Sequence, residues 1–242
     1  MRILVISDIH ANFTALEAVI AANAMVDAVW CLGDLVGYGP DPNECVERVR
    51  SLPNLTCLMG NHDAAVTDAM ELEKFNHDAA AAIGWTKSVL THENFEFLRN
   101  LPQKRISTLF TLVHASPQNP VWEYLLDSYT AMVNFACFTS QIAIVGHTHL
   151  PIAFSEVGES KQVKREMLKA GEQVKLSTRK ILNPGSVGQP RDHDPRASFA
   201  ILDPEHMTWR IRRVEYNVKA VQERILAAGL PQKHALRLEE GW

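Results

Sequence analysis

Five short polar words stand along this chain, built from residue types that bind divalent metals: Asp8-Ile9-His10, Gly33-Asp34, Gly60-Asn61-His62-Asp63, a lone His114, and Gly146-His147-Thr148-His149. Asp8 and His10 are two apart, as are His147 and His149, a spacing that lets both members of a pair turn toward one point where the chain leaves a strand. Carboxylate plus imidazole without thiolate suits Mn, Fe, Co or Zn and argues against a structural zinc cluster. Two aspartates, one asparagine and four histidines are enough for two ions sharing the two oxygens of Asp34. Such a pair of ions holds a phosphoryl oxygen and generates hydroxide from water near neutral pH, so hydrolysis needs no covalent intermediate. His62 lies outside that tally and is free to protonate a departing oxygen.

Elements that end where the words begin must position them. Ile3 to Ile6, Ala28 to Leu32, Leu55 to Met59, Leu109 to Val113 and Ile142 to Val145 are apolar runs rich in β-branched residues. Being continuous rather than alternating, they read as strands covered on both faces. Leu16, Val19 and Ile20 mark a helix between the first two, with Asn12 or Thr14 as its cap. Asp41-Pro42-Asn43-Glu44 opens another, with a capping aspartate, proline in the first turn and a glutamate placed to close a capping box; it runs to about Ser51. Strand, helix, strand, helix, strand is the βαβ pattern of a layered α/β domain.

Helical cover follows at about 64–101 and again at about 120–138. From Phe154 the pattern turns to strands, with Asn183-Pro184-Gly185-Ser186 as a marked turn. A last helix spans about 218–228 and stops at Gly229-Leu230-Pro231. With no repeat or linker, residues 1–242 read as a single domain.

A 46% hydrophobic content supports a sizeable core, and a net charge of -4 lacks the basic face that stable nucleic-acid binding requires. The four cysteines show no Cys-x-x-Cys spacing and read as reduced. No apolar stretch reaches the ~20 residues of a membrane span, and Met1-Arg2 leads directly into a strand, so the expectation is a cytoplasmic protein without membrane contact. Oligomeric state is left open.

The ordered words resemble the calcineurin-like metallophosphoesterase superfamily, from Met1 to roughly Asp203. The resemblance implies a two-sheet α/β sandwich flanked by helices. It implies that Asp8, His10, Asp34 and His149 hold one metal, that Asp34, Asn61, His114 and His147 hold the other, and that His62 is the proton donor. Mn is the leading ion, with Fe, Zn, Co or Ni as alternatives. After Gly33-Asp34 the loop reads Leu35-Val36-Gly37-Tyr38-Gly39, without the aspartate and arginine that serine/threonine protein phosphatases carry there. Asp8-Ile9-His10-Ala11-Asn12 and Asn183 through Arg191 instead resemble the compact prokaryotic phosphodiesterase-type branch.

The expected activity is therefore hydrolysis of a phosphodiester or phosphoanhydride in a small, nucleotide-like substrate, such as a cyclic nucleotide or dinucleoside polyphosphate. A phosphomonoesterase, a nuclease for short oligonucleotides, and a non-catalytic metal-binding scaffold are the alternatives. Asn12, Tyr38, Arg191 and Arg196 are the candidate substrate contacts, the arginines because they match phosphate oxygens and Tyr38 because it can stack a base. Asp63 either orients a ligand histidine or closes its turn. His77, His92, His193, His206 and His234 are expected on surfaces or helix ends, and Trp85, Phe95 and Phe97 in helix packing.

Overall fold

In a computed structural model, which describes residues 1–158 and 162–242, the apolar runs form the centres of two six-stranded sheets. The chain begins β1 (Ile3–Ile6), α1 (Phe13–Ala21), β2 (Ala28–Cys31), α2 (Pro42–Arg50), β3 (Thr56–Cys57) and α3 (Asn61–Val66). A short 3-10 turn at Leu72–Lys74 leads to α4 (His77–Val89), α5 (His92–Arg99), β4 (Lys104–Ile106), β5 (Phe110–Val113), α6 (Ser128–Phe135) and β6 (Ile142–Ile144). Next come β7 (Pro151–Val157), β8 (Gln162–Met167), β9 (Gln173–Lys175), β10 (Lys180–Pro184), β11 (Ala197–Asp203) and β12 (Thr208–Val214). Two helices close the chain, α7 (Val218–Ala227) and α8 (Gln232–Glu240). One sheet runs β3-β2-β1-β11-β12-β9 and the other β4-β5-β6-β10-β7-β8.

All four residues of β1 are buried, and the period of two divides them. Ile3 and Val5 meet Leu112, Ile144 and Leu182 between the sheets, while Leu4 and Ile6 face Leu16, Val19 and Val46 of α1 and α2. Each contributes about 1.5–3 kcal/mol by leaving water. Parallel pairing of β1 with β2 and of β2 with β3 aligns their C-terminal ends, and β5 with β6 does the same in the second sheet. The polar words therefore come from two sheets, and they meet because the sheets stack.

Several expectations are corrected. Only Ser128–Phe135 of the 120–138 stretch is helical, because the first side-chain cap is Asp127, whose carboxylate accepts from the amides of Tyr129 and Thr130 at 2.9 Å. Asp41 does sit at the N-cap of α2, but it makes no capping bond there; both of its oxygens accept from Arg224, tying α7 to that end. After the stop at Gly229-Leu230-Pro231 the chain forms the additional helix α8, which packs back on α7 through Leu230, Ala235 and Leu238. Among the described residues, no helix is long and apolar enough to cross a membrane.

Candidate metal centre

Three of the five words bend off their strands into tight rim loops. Asp8, His10, Asp34, His147 and His149 take φ values of 55°, 48°, 56°, 63° and 61°, the left-handed region that turns a side chain sharply away from the strand direction. The loops after β1 and β2 brace one another, with the amides of Asp8 and His10 donating to the carbonyls of Gly33 and Asp34 at 3.0 Å. Asn61 and His62 ride on the first turn of α3. Ser186, just after β10, ties the two sheets, its Oγ donating to the Asp8 carbonyl at 2.8 Å, while Asn183 near the end of β10 braces the loop after β6, its Nδ2 donating to the Gly146 carbonyl at 2.6 Å.

Asp63 closes the turn rather than orienting a histidine. Its carboxylate accepts from the amides of Asp34 at 2.8 Å, Leu35 at 2.9 Å and Gly60 at 3.0 Å. The clamp leaves no room at Gly60, where an added Cβ would sit 2.1 Å from Asp34 Oδ1 and 2.3 Å from the Asp34 amide nitrogen. Gly60→Ala should displace Asp34 and lower turnover roughly 100-fold, the scale of a misplacement near 1 Å. Activity beside a far-ultraviolet circular dichroism spectrum checks this, and near-normal turnover would show that the clamp is not required.

The seven candidate ligands are all at most 3% exposed. One group forms around Asp8, His10 and His149: His10 Nε2 lies 3.0 Å from His149 Nε2, and His149 Nε2 lies 3.5 Å from Asp8 Oδ1. The other forms around Asn61, His114 and His147, with His114 Nε2 3.0 Å from Asn61 Oδ1 and 3.3 Å from His147 Nδ1. Asp34 Oδ2 stands between them, 3.6 Å from His10 Nε2 and 3.5 Å from His114 Nε2.

This donor set fits divalent cations. The Nδ1 atoms of His10, His114 and His149 face the carbonyls of Val36 at 3.1 Å, Leu32 at 3.0 Å and Gln189 at 2.6 Å, which places the proton on Nδ1 and leaves each Nε2 lone pair pointing inward. Two facing imidazole lone pairs repel unless something positive lies between them. Burial also pushes Asp8 up to about 7 and Asp34 well above the carboxylate range, while holding His114 down at about 3 and His10, His147 and His149 well below the usual imidazole value. Desolvation thus disfavours every charge these side chains can carry, and bound cations reverse that balance for the carboxylates.

His62 borders the centre. Its ring packs edge-on against Tyr38 and Phe75, at centroid distances of 4.4 and 5.2 Å, and its Nδ1 has no protein partner. Gly37, at φ +87°, makes space for it, since a Cβ there would fall 2.3 Å from His62 Nδ1. Burial and then Arg191 hold the imidazolium well below its usual range.

A cavity of about 280 Å³ opens onto Asp34, Asn61, His62, His147 and His149. Of the four candidate substrate contacts, Arg191 lines it, and its buried Nε has no partner among the described residues. Tyr38 also borders the cavity but is walled in by His10, His62 and His234 at 4.4–4.7 Å, leaving no open face for a base. Asn12 is committed elsewhere: its Oδ1 caps α1 at Ala15 and its Nδ2 donates to the Gly188 carbonyl, both at 3.0 Å. Arg196 is outside the cavity, pairing with Asp194 at 2.7 Å.

His234, expected on a surface or at a helix end, stands in the first turn of α8 and is buried against Tyr38, because α8 packs over the loop that carries that tyrosine. His77, His92, His193 and His206 are exposed as expected. Sequence reasoning missed Lys74, Phe75, Trp122 and Tyr124, which complete the cavity wall. They carry no spacing signal, since two separate excursions bring them together.

Residues 1–207 match the family model for the calcineurin-like phosphoesterase superfamily domain. A crystal structure of a metallophosphoesterase from Sphaerobacter thermophilus superposes with a TM-score of 0.92 at 44% identity, covering 100% of this chain and 99% of that one. An uncharacterised protein of Methanocaldococcus jannaschii is 41% identical over 241 residues, 95% of this chain and 94% of its own. A shorter similarity, 39% over 67 residues, joins 26% of this chain to 24% of a symmetrical bis(5′-nucleosyl)-tetraphosphatase of Erwinia tasmaniensis.

Proposed function

The chain belongs to the calcineurin-like phosphoesterase superfamily and is a metal-dependent phosphoric ester hydrolase; from that premise we propose that it works with two ions, Mn foremost, on a phosphodiester or phosphoanhydride of a small nucleotide-like substrate. The observation that carries this reading is the position of Asp34 Oδ2, within 3.6 Å of an imidazole nitrogen from each ligand group. Asp8, His10 and His149 would hold one ion and Asn61, His114 and His147 the other, with Asp34 placed to serve both. Bound there, the ions acidify water and polarise phosphoryl oxygens.

The remaining steps belong to side chains. Arg191 offers its unpartnered Nε to a non-bridging phosphoryl oxygen, a charge-assisted bond that fixes the substrate's orientation. An arriving phosphoryl anion favours the charged form of His62, which then donates its proton to the departing oxygen. The enclosing Tyr38, His10 and Phe75 rings limit the swing of that imidazole. The partial similarity to a tetraphosphatase of dinucleosides supports a nucleotide-like substrate.

The test is hydrolysis of bis(p-nitrophenyl) phosphate beside p-nitrophenyl phosphate, by protein stripped with chelator and reloaded with Mn2+, Co2+, Zn2+ or Mg2+. Metal-dependent cleavage that favours the diester, greatest with Mn2+, is the expected result. Preference for the monoester would overturn the diester reading, and no turnover by metal-loaded protein would favour a scaffold.

A further inference from the structure

Beside the ligands stands an aromatic wall of which the chemistry above uses only Phe75, to confine His62. Phe75 directly follows the 3-10 turn Leu72–Lys74, whereas Trp122 and Tyr124 lie in the irregular stretch between β5 and α6. That stretch is pinned by Glu123, whose carboxylate accepts from Ser116 Oγ at 2.5 Å and Asn134 Nδ2 at 2.8 Å. The Phe75 ring meets Trp122 at 5.0 Å and 75°, and Tyr124 lies over His147 at 4.0 Å. All three line the cavity, and Tyr124 remains 47% exposed.

Folding alone gives little reason to leave three rings at the mouth of a polar cavity, where each forgoes part of the gain from burial. The rings border the centre itself, Phe75 through the proton donor His62 at 5.2 Å and Tyr124 through the candidate ligand His147, so a planar group lying on them is within one sugar's reach of a phosphoryl group at the centre. Asn76, also in the lining, uses its Oδ1 to cap α4, and its Nδ2 has no partner among the described residues, a donor available to the edge of a heterocycle. At about 280 Å³ the space lies at the low end of ligand pockets, suited to one base, sugar and phosphate rather than to a polypeptide.

Resting on the phosphoesterase reading above, we propose that Phe75, Trp122 and Tyr124 form a stacking wall for the base of a nucleoside phosphate and set the enzyme's preference for nucleotides over phosphoesters without an aromatic group. The experiment is calorimetric titration of the Mn2+-loaded protein with AMP, ribose 5-phosphate, phosphotyrosine and inorganic phosphate. Stacking on aromatic side chains contributes about 1–3 kcal/mol per base, so AMP should bind roughly 5- to 150-fold more tightly than ribose 5-phosphate. Trp122→Ala should shrink that ratio while leaving the affinity for inorganic phosphate unchanged, and Phe75→Ala should shrink it as well.

Equal affinities for AMP and ribose 5-phosphate in the unsubstituted protein would overturn the proposal, as would a ratio that survives both substitutions. Tighter binding of phosphotyrosine than of AMP would also overturn it, because the wall would then serve a different aryl phosphate. The two readings fail separately. Base-dependent binding without hydrolysis of any ester would leave the wall and remove the catalytic reading, whereas diester cleavage with no base preference would do the reverse.

Discussion

Asp34→Asn is expected to lower phosphoesterase turnover by about 1,000-fold or more, since on the two-ion reading this carboxylate underlies several kcal/mol of transition-state charge stabilisation. The substitution keeps the size of the side chain and an oxygen for the His62 amide, which now donates to Asp34 Oδ1 at 2.9 Å, so the loop should stay folded. Without metal, the variant should be no less stable than the unsubstituted protein, because burial already drives the Asp34 carboxyl toward its neutral form. With metal the order reverses: ions at 100 times their dissociation constant add about 2.7 kcal/mol to the protein that binds them. Melting temperatures with and without chelator, together with metal content, give the readout. Two ions retained per chain with normal turnover would remove Asp34 from its bridging role.

His62→Ala should divide substrates by leaving group. With alkoxide or nucleoside leaving groups, which need a proton as the bond breaks, kcat should fall by about 100- to 10,000-fold, the usual contribution of a positioned acid. With p-nitrophenyl esters, whose leaving group is stable as an anion, the loss should be much smaller. Metal content should be unchanged, since Asp8, His10, Asp34, Asn61, His114, His147 and His149 make up the two ligand groups without His62. An equal loss for both substrate classes would assign His62 to binding or packing instead.

The parallel cores were legible because β1, β2, β5 and β6 are buried on both faces and so read as unbroken apolar runs. The candidate ligand words stand out for a related reason: each interrupts such a run with residue types that folding does not require. Side chains recruited by long-range packing were not legible. Nothing local shows that Asp41 gives both oxygens to Arg224, far along the chain, or that α8 buries His234 against Tyr38. For the same reason the ring that the sequence offers for stacking is Tyr38, beside a motif, whereas Trp122 reaches the cavity only through a loop held by Glu123. Asn12 misled because its motif neighbours point at the centre, while helix capping had already claimed its amide.

The five left-handed rim residues bear on how such a protein ages as a lineage. A non-glycine residue in that region costs roughly 1–2 kcal/mol, so Asp8, His10, Asp34, His147 and His149 together hold about 5–10 kcal/mol of strain, comparable to the whole net stability of a typical domain. Glycine at any of them would relax the backbone and also remove a buried ionisable group. Stability and catalysis therefore pull in opposite directions at these positions, and a descendant released from its chemistry would drift toward a sturdier fold by shedding its ligands one at a time.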